Sequence, residues 1–167
     1  GPTPTTDMIN ILKYGETAES RVLDNLRVTR FPLELLRNVN IVDTPGTNSI
    51  MRWHDELTLN FVPKSDFVIF VISADRPLSD SEREFLEIIS IKWRRKVVFL
   101  LNKIDTKSPK DVETILAYLQ RESAKVLGAS PVILPVSLLQ AFQAKTTGDA
   151  ELLNLSGFPD IEHYLYE

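Results

Sequence analysis

An α/β fold with a doubly wound, mostly parallel sheet is predicted by three features of this sequence. Apolar runs at Phe67-Val68-Ile69-Phe70-Val71-Ile72, Val97-Val98-Phe99-Leu100-Leu101 and Pro131-Val132-Ile133-Leu134 are nearly continuous, as strands buried on both faces are. Segments with helical caps and apolar stripes separate them, so strand and helix alternate. Polar motifs follow the strands directly, where open α/β sheets place ligands.

In order along the chain, Met8 to Tyr14 reads as a strand, preceded by the extended lead-in Pro4-Thr5-Thr6. Gly15 to Asn25 is polar and is expected to be mobile. Val39-Asn40-Ile41-Val42 is strand-like, and Met51 to Phe61 is expected to be helical, closed by Pro63. Ser79-Asp80-Ser81-Glu82 is a capping box, with Phe85, Leu86, Ile88 and Ile89 as the apolar stripe behind it. Ser108 caps a further helix with Pro109 at its first position, and Gly128 ends it. Thr146-Thr147-Gly148-Asp149 reads as a loop tip, and Gly157 to Glu167 as a connection into a final helix.

Composition bounds the function. At 167 residues and 43% apolar content, the chain is long enough for one sizeable core, and residues 1–167 are expected to form one domain. The longest apolar run is far short of the ~20 residues that span a bilayer. Without cysteine there is no disulfide and no thiolate metal site. A net charge of −4 argues against a nucleic-acid surface. The basic cluster Lys92, Arg94, Arg95, Lys96 reads first as cations at a helix C-terminus and second as a lipid- or nucleic-acid-binding patch.

The motifs carry the chemistry. Asn102-Lys103-Ile104-Asp105 follows the central apolar run. A carboxylate at Asp105 accepts two hydrogen bonds from the guanine ring N–H and exocyclic amine, whereas adenine offers no matching pair of donors. Sites built this way reject a base lacking the partner by ~10⁴-fold or more. Asn102 would brace the loop, and the Lys103 stem can lie along the base with its ammonium toward the phosphates. Asp43-Thr44-Pro45-Gly46 is the Asp-x-x-Gly pattern of a terminal-phosphate sensor. There, Asp43 would hold a water of Mg²⁺ and Gly46 would bring its N–H to a phosphate oxygen. Thr6, with Thr5 as the alternative, suits the threonine that joins the Mg²⁺ shell. Ser137 is either a helix N-cap or the place where a backbone N–H reaches the guanine oxygen, and the two roles are compatible.

No G-x-x-x-x-G-K-[ST] run occurs, and none of the six glycines precedes Lys-Ser or Lys-Thr. The first strand, phosphate loop and first helix of a P-loop GTPase are therefore expected upstream of the sequence. No catalytic residue is assigned, with Thr6 the one candidate. Thr47 stands where small regulatory GTPases have glutamine, and His54 reads as an exposed helix histidine.

Asp43 to Asn48, Phe61-Val62-Pro63-Lys64-Ser65-Asp66, Ser73-Ala74-Asp75-Arg76-Pro77-Leu78 and Asn102 to Asp105 together resemble the GTPase domain of dynamin-like proteins. The bacterial and chloroplast fuzzy-onion-like type, related to mitofusins, is the most similar. The resemblance covers nearly the whole chain. It implies a GTP- and Mg²⁺-dependent head of a membrane fusion or fission protein, at a bacterial cytoplasmic face or in a chloroplast. It also implies a GTP-dependent head-to-head homodimer with Asp75 and Arg76 as contacts. Residues 156–167 would lead into a helical stalk, and lipids would be met by segments outside this chain. Two other classes compete: a ribosome- or tRNA-maturation GTPase, and a non-enzymatic pseudo-GTPase scaffold.

Overall fold

A computed structural model describes residues 8–24, 26–44, 64–93 and 96–166. The chain divides into two compact units, Gly1–Leu57 and Thr58–Glu167. The expected helix Met51 to Phe61 and His54 lie outside the described residues.

In the first unit, β1 (Ile9–Tyr14), β2 (Glu19–Leu23), β3 (Leu26–Phe31) and β4 (Ile41–Asp43) form a sheet in the order β2-β3-β1-β4. β1 and β3 run parallel, with Ile9 opposite Leu26 and Tyr14 opposite Phe31. β2 and β4 are antiparallel to their neighbours. The segment expected to be mobile thus contains a strand. Its hairpin turns tightly after Leu23, with Asp24 at φ 51°, a left-handed conformation that aspartate tolerates. The polar side chains that made the segment read as a loop pair across the strands: Ser20 Oγ lies 3.2 Å from Thr29 Oγ1, and Arg30 Nε lies 3.6 Å from Glu19. A single-turn 3₁₀ helix, Glu34–Arg37, follows, and it buries Leu36.

The second unit holds three parallel strands in the order β5 (Val68–Ser73), β6 (Val97–Asn102), β7 (Val132–Val136). Every β6 residue before Asn102 is buried, as the central strand of a covered sheet requires. Period-two alternation divides it. Val97, Phe99 and Leu101 enter a cluster with Phe70, Ile72, Leu86, Ile89, Leu119 and Leu127. Leu100 turns instead to a smaller cluster with Val136 and Ile161. The first cluster is roofed by α1 (Asp80–Trp93) and α2 (Pro109–Leu127), and the second by α5 (Phe158–Tyr166). Helices on both faces make the fold α/β and doubly wound, as expected.

Caps place these helices. Glu82 accepts a 2.6 Å bond from the Ser79 N–H while the Glu82 N–H reaches Ser79 Oγ at 3.4 Å, closing the capping box of α1. Ser108 Oγ accepts from the Asp111 N–H, and Gly128 ends α2 at φ 67°. Thr146 and Thr147 are not a loop tip. They form the last turn of α3 (Leu138–Thr147), with hydroxyls donating to the carbonyls of Phe142 and Gln143 four residues back. Only Gly148 and Asp149 separate α3 from α4 (Ala150–Leu155), and Asp149 caps the latter. Gly157 then turns the chain into α5 at φ 73°.

Candidate guanine-recognition site

Parallel pairing sets the carboxyl ends of β5, β6 and β7 side by side, with Ser73 opposite Asn102 and Asn102 opposite Val136. Asn102 ties together the three loops that leave these ends. Its backbone carbonyl accepts from the Ala74 N–H at 2.9 Å. Its side-chain Oδ1 accepts from the Lys103 N–H at 2.8 Å and from the Leu138 N–H at 3.1 Å. The bracing role expected of Asn102 is therefore built from three hydrogen bonds.

Lys103 takes φ 71° and ψ 32°, and this left-handed residue turns the chain into the 3₁₀ helix Ile104–Thr106. The Lys103 carbonyl closes that turn by accepting from the Thr106 N–H at 3.2 Å and the Thr106 hydroxyl at 2.9 Å. Asp105 stands on this turn, exposed, and its carboxylate has no partner among the described residues. An open carboxylate on a braced turn is an acceptor for a pair of N–H donors.

The Asp75 carboxylate faces the same turn. Its Oδ2 lies 2.9 Å from Lys103 Nζ and its Oδ1 lies 3.0 Å from Lys107 Nζ. Hydrogen bonds from Lys103 first and Lys107 second hold the Asp75 carboxyl down at about 2, below its ordinary 3.8. A value lowered by folding means that the folded chain binds this proton less readily than the unfolded chain. The stabilisation is complete above the ordinary carboxylate range and is lost as pH falls through about 2. A carboxyl-detected NMR titration should therefore show Asp75 titrating near 2, about two pH units below an unpaired aspartate. Arg76, beside it, is exposed, and its guanidinium has no partner among the described residues.

Ser137 is fully buried and caps α3, accepting from the Gln140 N–H at 3.2 Å. Its own N–H donates to the Ser156 carbonyl at 2.8 Å, and the Leu138 N–H is held by Asn102. The Leu139 N–H is thus the open donor of this helix start, as the second helical amide lacks an intrahelical acceptor. Sequence reasoning named neither Leu139 nor Lys107. Leu139 was hidden because its contribution is backbone, and Lys107 because its partner lies 32 residues earlier.

Asp43, in the first unit, ends β4 exposed and opposite Asn10, whose Nδ2 donates to Asp43 Oδ2 at 3.4 Å. Thr6 and Gly46, expected to share its work, lie outside the described residues. Among the described residues no cluster of three or more His, Cys, Asp or Glu side chains forms. A single carboxylate fits Mg²⁺, which keeps most of its waters and takes one or two protein carboxylates together with phosphate oxygens. Of the basic cluster, Lys96 donates to the Ser65 carbonyl at 3.2 Å.

Comparison with known proteins gives a consistent result. The dynamin family model matches residues 16–104. The chain is 36% identical to the probable transmembrane GTPase FZO-like, chloroplastic, of Arabidopsis thaliana, over 99% of this chain and 20% of that protein. A shorter match joins it to the tRNA modification GTPase MnmE of Thermotoga petrophila, 40% identical over 39% of this chain and 15% of that one. Among solved structures, a chain of an oligomerised bacterial dynamin pair superposes with a TM-score of 0.81 at 19% identity. That superposition covers 99% of this chain and 33% of the other, and at this identity it speaks for the fold. The chain spans about a fifth of the length of its chloroplast relative.

Proposed function

The chain belongs to the dynamin family, and from that premise we propose that it is the guanine-recognising part of a GTP-hydrolysing, membrane-remodelling protein. The observation that carries this reading is the exposed Asp105 carboxylate, set on a turn that Asn102 braces at the end of the central strand. Asp105 pairs with the two guanine donors. The Lys103 stem lies along the base, and the Leu139 N–H, one residue beyond the amides flanking Ser137, meets the guanine oxygen. In the first unit Asp43 would hold a water of Mg²⁺, Thr6 would join the same shell and Gly46 would offer its N–H to the terminal phosphate. When bound there, Mg²⁺ would supply charge neutralisation for the transferring phosphoryl group.

Phosphoryl transfer needs positioning and electrostatics more than covalent help from the protein, and no residue here is assigned as base. The Ser73–Leu78 loop forms part of a head-to-head homodimer surface, with Asp75 at its inner end and Arg76 as its open cation. Residues 156–167 lead toward a stalk, and lipids are met by other segments. The whole protein works in fusion or fission at a bacterial or chloroplast membrane. No described helix is long and apolar enough to cross a bilayer. A tRNA-modification role has the shorter of the two sequence matches and an acidic chain against it.

The sequence contains no phosphate-loop motif, which limits the affinity expected of these residues alone. Two charge-assisted hydrogen bonds at 1.5–3 kcal/mol each supply about 3–6 kcal/mol, and 4.1 kcal/mol corresponds to a dissociation constant of ~1 mM. NMR titration with GDP should therefore shift the amides of Lys103 to Thr106 and Leu139, with an affinity near millimolar, while ADP leaves them in place. Equal shifts with ADP would refute the guanine reading.

A further inference from the structure

Two lysines flank the recognition carboxylate, Lys103 two residues before Asp105 and Lys107 two residues after it. Either could swing onto Asp105 and occupy the oxygens that guanine needs. Neither does, because both ammonium groups are engaged by the two oxygens of Asp75. The Asp75 carboxylate is itself fixed from its own loop. The Asp75 N–H donates to Ser73 Oγ at 3.3 Å, and the Arg76 N–H donates to the Ser73 carbonyl at 3.1 Å.

We propose that Asp75 is a positioning residue for the guanine-recognition turn, acting through Lys103 and Lys107 to staple the turn and to keep Asp105 open. This inference rests on the guanine reading above and deepens it. A three-residue 3₁₀ turn has weak hydrogen-bond geometry, and here it begins from a left-handed lysine, a conformation that costs a side-chain-bearing residue. Grips on the residues immediately before and after the turn restrain both of its ends from a single residue in the loop after β5. The same grips draw two positive charges away from Asp105. Lys103 keeps about half of its side chain exposed and spends one of its three N–H donors on Asp75, so the others remain for nucleotide oxygens. Asp75 thus serves its own chain whether or not Arg76 beside it meets a second copy.

The test uses Asp75→Asn and Asp75→Glu in the 167-residue chain, alone and in a Lys103→Met/Lys107→Met background. Amide exchange and GDP titration are read by NMR. In Asp75→Asn the Thr106 and Lys107 amides should exchange roughly fivefold faster and GDP should bind roughly fivefold more weakly, the scale expected of two exposed ion pairs. Both differences should shrink at ~1 M salt, where the Debye length falls to about 3 Å. Asp75→Glu, which keeps the charge, should restore most of each. In the lysine-free background Asp75→Asn should change neither, which a purely local role in the Ser73 loop would not produce. Unchanged exchange and affinity in Asp75→Asn, or a full effect without the lysines, would overturn the proposal. If the parent chain gave no response to GDP, the guanine reading would fall, while the exchange measurements would still decide the staple.

Discussion

Replacing Asp105 with alanine should abolish measurable GDP binding while leaving the fold intact. The variant removes both acceptors for the guanine ring N–H and exocyclic amine, at 1.5–3 kcal/mol for each charge-assisted bond. The combined loss of about 3–6 kcal/mol corresponds to ~10²- to 10⁴-fold in affinity, enough to carry a millimolar ligand out of range. Stability should barely move, because Asp105 is exposed and its carboxylate supports nothing among the described residues. Surface substitutions of that kind stay within about 0.5 kcal/mol. Asp105→Asn gives the sharper result. The amide nitrogen turns one acceptor into a donor facing the guanine amine, so guanine is repelled, and a purine with a 2-oxo group becomes the better partner. Paired titrations with GDP and the 2-oxo nucleotide, alongside thermal melts, read both effects. Retained GDP affinity in Asp105→Ala would place the base elsewhere.

The turn that carries Asp105 stands directly after the central strand, where the sequence puts it, and the reason is local. The strand before it is a continuous apolar run, and most of the groups that build the turn lie within a few residues of one another. Asn102, Lys103 and Thr106 build the turn among themselves. Capping boxes and helix-ending glycines were legible for the same reason, since every group in Ser79–Glu82, or in Ser108 with Asp111, lies within one turn. The β2–β3 hairpin was not legible. Glu19, Arg21 and Arg30 break the apolar alternation that marks a strand, and cross-strand pairs such as Ser20 with Thr29 are visible only once the register is known. Thr146 and Thr147 misled in the opposite direction. Polar β-branched residues favour loops, yet here their hydroxyls bond back into the helix. Asp75 shows the same limit at the site. Its ion pairs within the chain could not be read from the sequence, because tertiary folding brings it to lysines 28 and 32 positions later.

Gly157→Ala should be the most damaging single-methyl change in the second unit, and its cause reaches the recognition loops. Gly157 takes φ 73°, and a Cβ built there would lie 2.4 Å from the Pro135 carbonyl oxygen and 3.6 Å from the Val136 Cα. Both neighbours are backbone of β7, held in register by β6, so the strand cannot step aside as a flexible side chain would. The left-handed conformation alone costs an alanine about 1–2 kcal/mol. Relief of the overlap must move the α4–α5 junction and stretch the bond from the Ser137 N–H to the Ser156 carbonyl, now 2.8 Å, for about 1 kcal/mol more. A total of about 2–3 kcal/mol lowers the melting temperature by roughly 4–12 °C for a chain of this size. Gly148→Ala separates the two contributions. Gly148 has nearly the same φ, 75°, but nothing within 4 Å of its would-be Cβ, so it should lose only the conformational part. Because the displaced segment carries Ser137 and the start of α3, Gly157→Ala should also shift the Leu138 and Asn102 resonances, which Gly148→Ala should leave in place. Equal melting points for the two variants would show that β7 yields to the methyl group, and that the close approach at Pro135 does not hold the third loop in position.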